Sequence, residues 1–169
     1  MRTKFFSTVF TLAITLILCV SAFSAQKAIS KAYSDKNGSM HLVYEDGKDV
    51  KVTKNKKKFT DPKIAEDKQT VGWLDTFYND IPDLNFQGDT SRELTIYRNG
   101  KVIRKIQSEE ACIKGWKFVE NGKQVAVVDG GLRFGYLYSL YDIATGKKIQ
   151  FVADPTEEQM PVWGKGVMY

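Results

Sequence analysis

Three times along this chain a glycine-bearing turn stands between two short runs of alternating apolar residues. Met40-His41-Leu42-Val43-Tyr44 and Val50-Lys51-Val52 flank Glu45-Asp46-Gly47-Lys48. Leu94-Thr95-Ile96-Tyr97 and Val102-Ile103-Arg104-Lys105-Ile106 flank Arg98-Asn99-Gly100-Lys101. Leu137-Tyr138-Ser139-Leu140-Tyr141 and Lys148-Ile149-Gln150-Phe151-Val152 flank Asp142-Ile143-Ala144-Thr145-Gly146. A tight hairpin turn needs a positive φ, which glycine adopts without strain, so each pattern predicts two antiparallel strands. Helical periodicity sustained over ten or more residues is absent beyond the amino-terminal apolar run. The fold class read from these features is all-β.

A second unit alternates with these hairpins. Lys63-Ile64-Ala65-Glu66-Asp67-Lys68-Gln69-Thr70-Val71-Gly72-Trp73 and Lys117-Phe118-Val119-Glu120-Asn121-Gly122-Lys123-Gln124-Val125-Ala126-Val127 both read as strand, polar turn, strand. Both carry Lys-Gln at the entry to the second strand. Pro161-Val162-Trp163-Gly164-Lys165-Gly166-Val167-Met168 is a candidate truncated third copy. The steps Tyr44 to Tyr97 and Tyr97 to Tyr141 are 53 and 44 residues. Such periods point to about two and a half repeats of a four-stranded unit, as in propeller blades.

The run Tyr138-Ser139-Leu140-Tyr141-Asp142-Ile143-Ala144-Thr145-Gly146-Lys147-Lys148-Ile149 resembles the outer hairpin of a WD40-like or TolB-like propeller blade, which carries an aromatic, an Asp and a Thr-Gly-Lys turn. Ile64-Ala65-Glu66-Asp67-Lys68-Gln69-Thr70-Val71 is similar to the inner hairpin. The resemblance spans roughly residues 39 to 168 and implies a binding scaffold that brings no catalytic residues with it. Two features depart from the pattern: the spacing is irregular, and the repeats are too few for a ring, which usually takes four or more. The expected architecture is antiparallel four-stranded blade-like sheets, arranged as an open or partial propeller, a sandwich-like derivative, or a ring closed by oligomerisation.

The amino terminus sets the expected location. Arg2 and Lys4 precede the apolar run Phe5 to Val20, and the small residues Ser21, Ala22, Ser24 and Ala25 follow. That order is a secretory signal peptide. The run is about 16 residues, short of the roughly 20 a spanning helix needs, and no second apolar stretch occurs, so no membrane span is expected after cleavage. The chain divides into a signal peptide (1–25), a polar lead-in (26–38) and one β domain (39–169), exported to the periplasm or secreted. Removing Arg2 and Lys4 from the 25 basic residues leaves 23 against 20 acidic ones, too mild an excess to argue for nucleic acid. Leu18 before Cys19 is not the small residue a lipoprotein signal wants. Cys112 is then the only cysteine of the processed chain, so no internal disulfide forms and the core must hold the fold; the reading for Cys112 itself is a buried thiol.

Two insertions at matching places are the candidate partner-binding loops. The first, Leu74 to Asp89, mixes Phe77, Tyr78 and Phe86 with Asp75, Asp80, Asp83 and Asp89. The second, Asp129 to Tyr136, is glycine-rich and carries Arg133, Phe134 and Tyr136. Aromatic residues and Arg anchor interfaces, and a β scaffold presents loops well. The competing reading is that Phe77, Leu84 and Phe86 plug a sheet edge while the acids solvate the loop. The acids lack the alternation of a calcium loop, and Gly130-Gly131 lacks the following helix of a phosphate cradle. The basic run Lys54-Asn55-Lys56-Lys57-Lys58 reads as a solvated turn. His41, the only histidine, reads as an exposed strand residue, and one His with one Cys builds no zinc site. No pair stands out among the 20 acids for acid–base chemistry. Trp73, Trp116 and Trp163 recur beside the inner units and read as core, with a sugar-stacking platform as the alternative.

These features favour a non-enzymatic exported protein that binds another protein, as an inhibitor or immunity protein acting on a cell-envelope enzyme, with no cofactor and no metal. A glycan- or ligand-binding module and an accessory subunit of an envelope complex are the alternatives. Amino-terminal sequencing of the exported protein is expected to start at Phe23 (cleavage after Ala22) or at Ala25 (cleavage after Ser24).

Overall fold

A computed structural model describes residues 27–53, 57–81, 86–130 and 135–168, the side chains of Asp80, Ile81 and Phe86 excepted. The described residues form eleven strands: β1 (Ile29–Ser34), β2 (Met40–Tyr44), β3 (Asp49–Lys51), β4 (Lys58–Ile64), β5 (Thr70–Ile81), β6 (Phe86–Arg98), β7 (Lys101–Gln107), β8 (Cys112–Val119), β9 (Gln124–Gly130), β10 (Tyr136–Asp142) and β11 (Lys148–Ala153). They form three antiparallel sheets in chain order, β1-β2-β3, β4-β5-β6-β7 and β8-β9-β10-β11, none closed into a barrel. Every neighbour in a sheet is a neighbour in sequence. The three hairpins and both inner units predicted from the turns are present. Gly47, Gly100 and Gly146 each hold a positive φ in the hairpin turns. Among the described residues no helix is long and apolar enough to cross a membrane.

Two expectations are corrected. The segment read as a polar lead-in contains β1. Its alternation is masked because Ile29 and Ala32 are its only aliphatic residues and the register with β2 shifts between Ile29 and Lys31. Pro161 to Met168 is not a truncated strand pair but a run of turns. Its glycines and proline favour turns over a ladder.

The sheets stack through three apolar layers. Ile29, Met40, Leu42, Phe59, Val71, Trp73 and Tyr97 fill the space between the first and second sheets. Leu74, Leu94, Ile96, Ile113, Trp116, Val125, Val127 and Tyr141 fill the space between the second and third. Beyond the third sheet, Val167, Met160, Trp163 and Met168 of the turn segment cover Ala126, Val128, Tyr138 and Leu140. The second sheet is thus apolar on both faces, with Val71 and Trp73 on one and Leu74 on the other, as strand alternation requires. Within the stack β1 packs against β4, and β8 mainly against β6 and less against β4. The last strands β3, β7 and β11 form the outer edges.

Polar side chains stitch these layers. Arg98 donates to Thr70 Oγ1 at 2.6 Å and to the Gly122 carbonyl at 2.7 Å, joining turns of the second and third sheets. Lys63 donates to the Trp116 carbonyl at 2.6 Å, its ammonium lying 5.0 Å from the indole centroid. Arg104 Nε reaches the Ile143 carbonyl at 2.7 Å. The outer face of the first sheet is polar: His41 stacks on Tyr33 at 5.1 Å, and its Nδ1 is 2.9 Å from Asp49, to which Tyr33 also donates at 2.6 Å. His41 is therefore half-buried in a hydrogen-bonded cluster rather than an exposed strand residue.

Trp73 and Trp116 are buried, as the core reading expected, and Trp163 is partly covered. Trp116 lies against Gly72: a Cβ built on Gly72 would sit 2.6 Å from Trp116 Cη2 and 3.1 Å from Ile96 Cδ1. Trp116 has no exposed surface toward which to retreat. Gly72→Ala is therefore expected to lower stability by about 1–3 kcal/mol, read as a lower urea midpoint at unchanged slope.

Candidate functional site

The first predicted loop is largely not a loop. Leu74 to Asp89 continues β5 and β6 as a hairpin that overruns its own sheet. β4 pairs with β5 only up to Thr76, and β7 pairs with β6 only from Glu93. Beyond these limits Phe77↔Thr90, Tyr78↔Asp89, Asn79↔Gly88, Asp80↔Gln87 and Ile81↔Phe86 pair only with each other within the sheet. At about 3.3 Å per residue this makes a two-stranded arm about 16 Å long. Tyr78 is 67 % exposed and Phe77 36 %. Lys57 lies 5.0 Å from the Phe77 ring centroid, and Lys58 pairs with Asp89. Asp83 lies outside the described residues, and the side chains of Asp80 and Phe86 are not described.

Asp75 departs from the loop reading altogether. Its alternation with Val71 and Trp73 turns it inward, and it is 3 % exposed. The register places Glu93 directly opposite it. Two like charges facing across a strand pair are destabilising unless one takes a proton. Burial first, and the neighbouring Glu93 second, push the Asp75 carboxyl up from its ordinary value. Burial acts against ionised Glu93 as well, but Lys105 outweighs it, bonding at 2.5 Å, and holds Glu93 below its ordinary value. Thr95 Oγ1 donates to Asp75 Oδ1 at 3.2 Å, and the Lys57 ammonium stands 3.7 Å from Asp75 Oδ2.

Asp75 lies in a cleft of about 180 Å³ lined also by Thr53, Lys57, Phe59, Trp73, Thr95, Val102 and Lys105. The cleft exists because β3 is three residues long while β7 is seven, so the first sheet stops short of the polar half of the second. Lys57 belongs both to the cleft wall and to the contact with Phe77. Cleft and arm therefore form one continuous surface. Sequence reasoning missed Glu93 and Lys105, whose only signal was their cross-strand register with Asp75 and Thr95.

The second predicted loop shows the same design in closed form. Asp129, 54 positions after Asp75, ends the inward series Val125, Val127, Asp129 on β9 and is 1 % exposed. Tyr141 stands opposite Val125 and Ser139 opposite Val127, as Tyr97 stands opposite Val71 and Thr95 opposite Trp73. Asp129 is thus buried rather than part of a surface loop. Ser108 and Glu109, which connect β7 to β8, lie beside it. Burial, with the Glu109 carboxylate adding to it, pushes Asp129 up to about 6, and Lys148 opposes. Lys148 bonds Glu109 at 2.5 Å, and burial with Glu109 pushes Tyr141 up to about 12. A hydrogen bond from Ser108 opposes the rise in Asp129 more than Lys148 does, and burial outweighs both. Arg133 and Phe134 lie outside the described residues, and Tyr136 is 44 % exposed at the start of β10. Cys112 is buried, with Sγ 3.5 Å from the Gly130 carbonyl.

Among the described residues no group of three or more His, Cys, Asp or Glu side chains is placed to hold a metal ion. Neither carboxylate pairs with His41, whose partners are Asp49 and Asp35. The arrangement can present a rigid aromatic arm and receive one side chain at its root.

Because the folded-state value of Asp129 lies above that of an unfolded carboxyl, the folded state binds the extra proton between about pH 4 and 6. Ionisation of Asp129 then opposes folding at pH 7 by about 3 kcal/mol, a burden relieved as pH falls through 6. Urea midpoints are expected to rise from pH 7 to pH 5 in the native chain and to change much less in Asp129→Asn. No family model matches the chain, and no curated protein is found to be similar to it.

Proposed function

We propose that the protein is an exported, non-enzymatic module that binds another protein with the β5–β6 arm and the cleft at its root. The observation that carries this reading is the arm itself. A hairpin isolated in water is marginally stable, and this one carries Tyr78 and Phe77 outward beyond the sheet that supports it. Aromatic side chains on a projecting ribbon are what an interface uses as anchors. Occlusion is the mechanism: the arm enters a partner's groove while Lys57, Asp75 and Lys105 take up one partner side chain in the cleft. An inhibitor or immunity protein acting on a cell-envelope enzyme works in this way.

The chain-order meanders support the likeness to propeller blades. The glycan-stacking alternative loses its best platforms, since Trp73 and Trp116 are buried.

The test is affinity capture from the host's envelope fraction, followed by titration of the captured partner against variants. Tyr78→Ala is expected to weaken binding at least tenfold, about 1.4 kcal/mol or more, while Val162→Ala on the far turn segment leaves it unchanged. Capture of no stoichiometric protein, or equal affinity in Tyr78→Ala, overturns the proposal.

A further inference from the structure

The three outer edge strands are not equivalent. β3 is three residues long with Asp49 and Lys51 in it. β7 carries Lys101, Arg104 and Lys105. Short length and like charges of this kind protect a sheet edge from pairing with another chain. β11 has neither protection. It is six residues long, its one charged side chain is Lys148 at its start, and it exposes Ile149 at 46 % and Phe151 at 50 %.

The hydrogen-bond pattern shows which groups this edge offers. The Asp154 amide donates to the Tyr136 carbonyl at 2.8 Å, and Val152 stands opposite Tyr138. With a period of two, Val152 and Asp154 bond inward, and Phe151 and Ala153 turn their N–H and C=O outward. On one side the stretch is bounded by the register shift at Ile149. On the other it ends at Pro155, which has no N–H to donate.

We infer that β11 pairs antiparallel with β11 of a second copy of this chain, about a two-fold axis through Val152. The strand is complementary to itself in this register. Phe151 meets Ala153 of the other copy, a large residue against a small one, and the two residues exchange both backbone bonds twice over. Gln150 meets Asp154. The same operation on β7 about Ile103 would set Lys101 against Lys105 of the other copy, two ammonium groups face to face. The product is an eight-stranded sheet, with the arms and clefts on the second sheets of the two copies. This inference is independent of the arm's proposed role, because it uses a different sheet and a different edge.

A single pair of edge strands makes a small interface, so association is expected to be weak and concentration-dependent. The test is sedimentation equilibrium of the protein with its natural amino terminus, up to about 100 µM. A monomer–dimer equilibrium is expected, weakened at least tenfold by Phe151→Asp. Phe151 is half-exposed, so the variant's fold can be checked by far-UV circular dichroism. Independently, Val152→Cys is expected to form a disulfide-linked dimer on mild oxidation, because facing residues of a non-bonded pair lie about 4.5 Å apart at Cα. Gln150→Cys and Ala153→Cys, off the axis, are expected to link far less. A monomer throughout the range overturns the inference. So does a dimer unaffected by Phe151→Asp, or equal cross-linking at all three positions.

Discussion

The packing of Trp116 across Gly72 is the contact on which the stack depends. Among the described residues no disulfide joins the sheets; they are held by apolar area and by cross-sheet bonds, those of Arg98, Lys63 and Arg104 between the second and third and those of the Ile29 amide and Glu45 with Lys68 between the first and second. Two four-stranded sheets can approach this closely only where one of them carries no side chain under the indole. The second sheet can serve as the middle layer because its strands alternate between two apolar faces rather than one apolar and one wet face. A conventional half-solvated antiparallel strand would alternate polar and apolar residues, and β5 does not.

The same layering explains the two buried acids. In each four-stranded sheet the inward face runs from aliphatic and aromatic residues into a polar end, headed by Asp75 or Asp129. The neighbour decides what becomes of that end. Over Asp129 the longer β7 and the Ser108–Glu109 connection close the gap. Over Asp75 the short β3 leaves a cleft. One repeated strand pattern thus yields an enclosed acid in one interlayer and a buried acid at the wall of a cleft in the other, and the arm rises beside the cleft.

The turns and alternation were legible in the sequence, and so the hairpins, the meander order and the burial of Trp73, Trp116 and Cys112 could be read without coordinates. β1 could not, because Ile29 and Ala32 alone carry its apolar face and a register shift interrupts them. The arm could not either. Its residues mix acids with aromatics as a loop does, yet its pairing comes from the backbone and depends little on that composition. Asp75 and Asp129 looked like loop residues for the same reason: an Asp at the end of an apolar run marks a turn as readily as the wet end of a core. Only the register with Glu93, Thr95 and Lys105 distinguishes the two, and register is a property of pairs rather than of runs.

The turn segment that covers the third sheet follows every strand in chain order. Val167 and Met168 lie on Val128 and Tyr138 through an approach so close that the Val167 carbonyl would stand 2.4 Å from a Cβ on Gly115. Each sheet is a local meander and can form as soon as its own residues are available, but the outer face of the third must wait. During synthesis, Ala126, Val128, Tyr138 and Leu140 stay uncovered until about fifteen further residues beyond β11 have emerged. The cover of the third sheet is thus the latest of the described segments to become available, and it is a run of turns rather than a strand.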